Sequence, residues 1–307
     1  MHLLVPFASD DSEACRHVLR DLALPNLTRL LARLEPAARD DGPADSFSPP
    51  HERALAALRG WHGADGALPF AAAQALADGV AVGERAWGLL TPAHWLLGRD
   101  HATLLDPSGL ALGEAESRTL FEAIRGLFES EGFTAAWGAP ERWYVGHDEL
   151  EGNACASLDR VIGRNVDRWL GETRSPMGRR IRRLQSEAQL VFHAHPVNEA
   201  REARGEPVVN SFWLSGCGRA QAVDAAAEPS VDESLRAPLL AGDWAAWAEA
   251  WQRLDAEAIA HADRDHATLT LCGERSAARF EVRTQGLLQR LRRRWQATEA
   301  HALLESL

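Results

Sequence analysis

Hydrophobic and polar positions repeat along this chain with two periods, and each change of period marks an element. Residues 3–8 are apolar on both faces, the pattern of a strand buried in a parallel sheet. Ser9-Asp10-Asp11-Ser12 follows and can cap a helix over 13–22. A second helix opens at Pro25, with Leu27, Leu30, Leu31 and Leu34 on one face. The stretch 39–50, rich in Asp, Pro, Gly and Ser, predicts a surface loop, and short helices are predicted over 52–58 and 69–76. Strand character returns near 87–90 and at 102–106. An amphipathic helix over 114–131 then turns Leu120, Ile124, Leu127 and Phe128 inward. Strands at 133–137 and 142–145, a partly helical 158–170 and a strong helix over 178–192 complete the middle of the chain.

Beyond it, 208–214 alternates as a strand, and Trp244, Trp247 and Trp251 recur at helical spacing over 243–261. A strand over 267–272 and a helix over 285–307 close the sequence. This order predicts an α/β fold, with a core built from 1–84 and 190–307 and a smaller inserted α+β lobe over 85–189.

A chain of 307 residues has room for one large domain or two ordinary ones, and 46% hydrophobic with 25% charged residues is a soluble globular composition. The net charge of -11 argues against non-specific binding to nucleic acid or to an anionic membrane. No basic leader and no apolar run of about 20 residues is present, so neither a signal peptide nor a membrane span is expected. Cys15, Cys155, Cys217 and Cys272 are scattered and form no Cys-x-x-Cys pair, which fits reduced thiols in a cytoplasm.

Candidate chemistry gathers in residues 193–218. Pro196 argues for a helix boundary, Asn198 is a good N-cap, and Gly205 can close the helix that follows. Ser215-Gly216-Cys217-Gly218 then reads as a tight loop at a strand end that could bare backbone N–H groups. Asn198, Arg201, Arg204, Asn210 and Arg219 could converge there on an anion. The plainer reading is ordinary α/β punctuation, since a lone Gly-x-Gly is weak evidence. Arg179, Arg180, Arg182 and Arg183 make the start of the 178–192 helix basic, either as a face paired with carboxylates or as a wall for a phosphate or carboxylate ligand. Asp10 and Asp11 are capping residues or metal or base residues. His261-Ala-Asp263-Arg-Asp265-His266 is a polar turn or part of a metal site, and Asp100-His101 is a similar pair.

His195-Pro-Val-Asn198, followed by Arg201, Gly205, Asn210, Trp213, Gly216 and Gly218, resembles a segment of archaeal-type cofactor-independent phosphoglycerate mutases. Asp159-Arg-Val-Ile-Gly163 fits the approach to that segment. Leu24-Pro-Asn-Leu-Thr-Arg-Leu30 is similar to a helix start of the alkaline phosphatase superfamily to which those mutases belong. A resemblance over nearly the whole chain is to bacterial RpfE-type regulatory proteins. It is carried by Leu4-Val-Pro-Phe-Ala8, Leu90-Thr-Pro-Ala-His-Trp95, Gly98-Arg-Asp-His101, Ser157 to Asp167, Leu184-Gln-Ser-Glu187 and Leu269-Thr-Leu-Cys-Gly-Glu274. The resemblance implies an alkaline-phosphatase-like core sheet flanked by helices, with the inserted lobe.

The departures from the mutase pattern bear on activity. The Asp-Gly…Asp metal motif is missing after the first strand, where Asp10 and Asp11 stand instead. The nearest equivalent of the nucleophilic serine segment is Ser46-Phe-Ser48-Pro-Pro-His51-Glu52, with His51 or Glu52 in the serine's place. Of the late motifs, only Asp265-His266 looks like a remnant.

The resemblance with these departures implies a non-catalytic regulatory or ligand-binding protein. Its cleft would hold a small anionic metabolite, phosphorylated or carboxylated, through Arg164, Arg201 and the Gly216–Gly218 loop. The alternative is a metal-dependent phosphoglycerate mutase or phosphatase, with Asp10, Asp263, Asp265 and His266 holding Mn²⁺ or Zn²⁺ and Ser48 or His51 attacking phosphorus. A third expectation is a protein partner met by the tryptophan-rich helix.

Overall fold

In a computed structural model, residues 2–99, 101–170, 175–223, 228–264, 268–282 and 300–307 are described. They form a mixed α/β structure in two compact units, one of 1–45, 49–60 and 224–307 and one of 46–48 and 61–223. The expected lobe, 85–189, is smaller than this second unit, because Ser211–Arg219 pairs along the length of Ala86–Ala93. Asp100, Asp265, His266 and the arginines at 290–294 lie outside the described residues.

The first unit holds a five-stranded sheet in the order Leu34–Asp41, Ser276–Val282, Thr268–Cys272, His2–Val5, Ser230–Val231. His2–Val5 runs parallel to Thr268–Cys272 and to Ser230–Val231, and Ser276–Val282 is antiparallel to both its neighbours. The first strand stops at Val5, short of the expected 3–8. Pro6 has no N–H for the ladder, and Phe7 turns the chain at a φ of 57°, in the left-handed region. Residues 39–41, expected in a loop, extend an edge strand. Their pairing is by backbone to Ser276–Val282, and a solvated strand edge leaves no apolar alternation to read.

Leu3, Val5, Leu27, Leu30, Leu269 and Leu271 pack with Trp247 and Trp251 in one core. Both these tryptophans are fully buried, and Trp244 is half-buried against the same cluster. The tryptophan spacing on Trp244–Leu254 therefore marks a packing seam. Asp255 is buried beyond its end. Its carboxylate accepts from the amides of Asn26 (3.1 Å) and Leu27 (2.7 Å) and from Asn26 Nδ2 (3.1 Å), so it caps the helix Pro25–Leu31.

The second unit is built on a four-stranded antiparallel sheet, Thr134–Ala139, Arg142–Gly146, Ala86–Ala93, Ser211–Arg219, with a small hairpin of Trp95–Leu97 and Ala102–Leu104. Side chains alternate across it. Trp143, Val145 and Leu90 face a core shared with the helices Glu114–Ser130 and Pro176–His193, and Tyr144 and Trp87 face the helix Phe70–Ala77. Just after that short helix, Asp78 accepts two bonds from Arg142 (2.8 Å each) and one from the Tyr144 hydroxyl (2.6 Å).

Helix Pro196–Arg204 begins earlier than expected. His195 is its N-cap, with Nδ1 3.2 Å from the Val197 amide, and Pro196 takes the first helical position, where its missing N–H costs nothing. Gly205 closes it in the left-handed conformation, as the sequence predicts. The expected loop at 215–218 is instead a bulge within a strand. Leu89 pairs with Ser215 and Trp87 with Gly218, so Gly216 and Cys217 together oppose the single residue Gly88.

Candidate functional site

The second unit contains a cavity of about 240 Å³. One wall is a face of the helix Pro176–His193, where Gly178, Ile181, Arg182 and Gln185 recur at the three- and four-residue spacing of a helix stripe. Facing it are Trp213 and Leu214 of the strand Ser211–Arg219, the irregular segment 152–156, and Trp169 and Leu170 after the short turn Val166–Arg168.

Hydrogen bonds set these walls. Trp213 Nε1 donates to the Ala156 carbonyl (2.8 Å), which ties the ring to the 152–156 segment. Gln185 is buried and its Nε2 donates to the Phe212 carbonyl (2.8 Å), so its Oε1 is turned toward Arg182. Ser175 caps the helix by accepting from the Gly178 amide (2.9 Å), which brings the positive end of an 18-residue helix to the cavity.

The basic run at the start of this helix divides by partner. Arg180 pairs with Glu131 (3.2 Å), and Arg183 pairs with Glu131 (2.5 Å) and Glu187 (3.8 Å). Arg182 has no carboxylate partner among the described residues; Nη1 reaches only Gln185 Oε1, at 3.5 Å. Two tryptophans, an isoleucine and two leucines therefore share a cavity with one half-buried guanidinium that no described carboxylate meets. Among the described residues no His, Asp or Glu lines it. An apolar pocket with a single guanidinium can hold a small ligand that carries an anionic group.

Apart from Arg182, none of the described site residues expected from sequence lines this cavity, and several are bonded within the chain. Arg201 is 1% exposed and donates to Glu116 (2.6 Å), to the Pro207 carbonyl (2.8 Å) and to the Leu110 carbonyl. Asn198 Nδ2 donates to the Phe192 and Val209 carbonyls (2.8 and 2.7 Å), and its Oδ1 accepts from the Val209 amide (3.0 Å). Asn210 joins the backbone N–H and carbonyl of Trp95 (2.7 and 2.9 Å). Gly216 and Gly218 let the strand approach the helix at 70–77; a Cβ at Gly216 would lie 2.9 Å from the Ala71 amide nitrogen. Arg204 pairs with Glu116 and Glu206, and Arg219 with Asp148. Arg164 is half-buried in the turn after Leu158–Val161.

Ser48 is buried in the second unit. Its amide donates to Asp65 Oδ1 and its Oγ accepts from the Gly66 amide, both at 2.8 Å. Burial would raise the Asp65 carboxyl, but the amides of Ser48 and Phe47 and the hydroxyl of Ser46 outweigh it and hold it below the usual carboxylate range. His51 belongs to the first unit, on Pro50–Leu58, with its ring 5.0 Å from that of Phe7. Asp10 Oδ1 accepts from the Ser12 amide (2.7 Å), and Asp11 pairs with Arg275 (3.0 Å). Asp263 falls on the helix Ala260–Arg264. Among the described residues no three His, Cys, Asp or Glu side chains gather as a metal site; Asp265 and His266 lie outside the described residues. Of the cavity residues, sequence reasoning named Arg182 as a possible ligand contact, and only as one of four arginines; Cys155, Gln185 and Trp213 entered it for other reasons. The available signal was the mixed stripe Gly178, Ile181, Arg182, Gln185, polar where a core-facing helix would be apolar.

No family model matches the chain, and no curated protein matches it. Solved structures similar to it include the following two. A cofactor-independent phosphoglycerate mutase from Thermoplasma acidophilum is 15% identical over 93% of this chain and 90% of its own, with a TM-score of 0.39. The PH0037 protein of Pyrococcus horikoshii is 14% identical over 95% and 92%, with a TM-score of 0.45. At these scores and identities neither likeness decides the fold or the chemistry of this chain. No described helix is long and apolar enough to cross a membrane.

Proposed function

We propose that this protein is a non-catalytic ligand-binding protein of regulatory type, and that its cavity takes a small metabolite with an apolar or aromatic body and one carboxylate or phosphate. The observation that carries this reading is Arg182, a half-buried cation in an apolar cavity without a carboxylate partner among the described residues. An anion held there gains charge-assisted hydrogen bonds, bidentate when it meets the guanidinium fork. The cavity volume suits a compact ligand rather than a polymer. The motif resemblance running from His195 to Gly218 adds a phosphatase-superfamily scaffold with an inserted lobe to this reading, and the free thiols suit a reducing cytoplasm.

The test is a titration of the purified protein with aromatic carboxylates and sugar phosphates, followed by tryptophan fluorescence and melting temperature. Trp169 and Trp213 report from the cavity wall. Binding of an anionic member that weakens about 10- to 100-fold in Arg182→Gln, the loss of one charge-assisted contact, supports the reading. Equal binding by wild type and variant, or no binding by any member, overturns it. Two tightly held Mn²⁺ or Zn²⁺ ions with phosphoglycerate turnover would put the mutase reading in its place.

A further inference from the structure

Cys155 Sγ and Cys217 Sγ stand 3.7 Å apart, in contact but not bonded, and no other pair among the four cysteines is so placed in the described structure. We propose that Cys155 and Cys217 form an intramolecular disulfide by exchange with a small-molecule disulfide that enters through the cavity, which makes the pair a redox modification site.

Three features of the fold support this. Cys155 lines the cavity and is partly exposed, while Cys217 is fully buried behind it, so one sulfur is reachable and the other waits within reach of the first. Cys217 owes its direction to the bulge in Ser211–Arg219, which re-aims a side chain out of strand alternation. Gly88, opposite, leaves the room; a Cβ there would lie 3.1 Å from Cys217 Sγ. Closing the pair from 3.7 Å to a bond of about 2.05 Å asks for a movement of roughly 1.7 Å. Cys155 can supply it, because it sits in the irregular segment 152–156 while its partner is held in a sheet. Its sulfur accepts from Asn153 Nδ2 (3.1 Å).

The exchange balances with the small disulfide as the oxidant. Cys155 gives its proton to solvent and its thiolate attacks one sulfur of the small disulfide. The old S–S bond breaks, a mixed disulfide forms, and the departing thiolate takes up a proton. Cys217 then loses its proton, attacks Cys155 Sγ and expels the second thiol. Two protein thiols are oxidised, and one small disulfide is reduced to two thiols. The hydrogen bond to Cys155, together with burial, raises the Cys217 thiol, so it acts second, after the mixed disulfide has formed. Burial pushes Cys15 up to about 11 and raises Cys272 as well, which leaves those two as unreactive internal controls.

The experiment incubates the folded full-length chain with glutathione disulfide, alkylates free thiols and maps peptides without reduction. The expected product is a Cys155–Cys217 linked peptide that dithiothreitol separates, with free thiols falling from four to two. Cys15→Ser leaves the link in place, and Cys155→Ser abolishes it. Cys155 retained as a mixed disulfide with Cys217 free, a link to Cys15 or Cys272, or four free thiols after prolonged exposure each overturns the proposal. Because the wild-type map alone decides between these, the outcome does not depend on whether a Cys217 variant folds.

Discussion

Arg201 donates to Glu116 across 85 residues of sequence, at 2.6 Å, from a position that is 1% exposed. The guanidinium also closes on the carbonyls of Leu110 and Pro207. It fastens the helix Pro196–Arg204 to the start of Glu114–Ser130. An arginine that looked like ligand machinery in the sequence is thus a strut, while Arg182, on the preceding helix Pro176–His193, has no carboxylate partner among the described residues.

The two arginines should separate in a denaturation series. Arg201→Ala leaves the carbonyls and the Glu116 carboxylate unmatched and is expected to cost about 3–5 kcal/mol of unfolding free energy. Arg182→Gln has no ion pair to lose and should stay within about 0.5 kcal/mol of wild type. Urea unfolding followed by circular dichroism measures both, and equal losses would contradict the division.

Acid should loosen the second unit before neutral pH does. The Arg142 guanidinium, aided by the Tyr144 hydroxyl against the opposing effect of burial, holds Asp78 below its ordinary value, and hydrogen bonds hold Asp65 low as well. A carboxyl with a depressed folded pKa contributes stability that is present above its unfolded value, about 3.9, and lost as pH falls through the folded one. Melting temperature measured from pH 7 to pH 2 should therefore be level above about pH 5 and fall below about pH 4. In Asp78→Asn the acid part of that fall should shrink.

Asp255→Ala should weaken the first unit. The change strips the cap from Pro25–Leu31 and leaves the Leu27 amide in a buried place without its acceptor. The expected cost is about 2 kcal/mol, read as a shift in the urea midpoint with an unchanged slope.

Gly216→Ala should destabilise the second unit by about 1–2 kcal/mol or more. A φ of 65° is costly for any residue with a Cβ, and the added carbon meets the Ala71 backbone. A variant as stable as wild type would mean that the bulge relaxes without loss.

The sequence reveals those parts of this fold that depend on repeated burial. Leu120, Ile124 and Phe128 repeat at helical spacing and all face one core, and Trp247 and Trp251 recur for the same reason. What escapes is pairing decided by backbone partners far away. Nothing in residues 39–41 announces that Ser276–Val282 will lie beside them, and nothing in Ser215-Gly216-Cys217-Gly218 distinguishes a bulge from a loop until Gly88 is known to lie opposite. The site is the least legible part. Its polar residues sit singly among apolar ones, so Arg182 is visible as a charge but its lack of a partner is a property of three-dimensional neighbours.

The strand Leu34–Asp41 lies at one rim of its sheet with every residue from Pro36 onward exposed, and it bears Arg39, Asp40 and Asp41 there. A rim of this kind is a poor template for an incoming strand, because docking would bring its charged side chains against those of the newcomer and strip them of water. The opposite rim is the two-residue strand Ser230–Val231, too short to nucleate a ladder. The sheet is thereby protected at both ends against growth into fibres, with clustered charge on one side and brevity on the other.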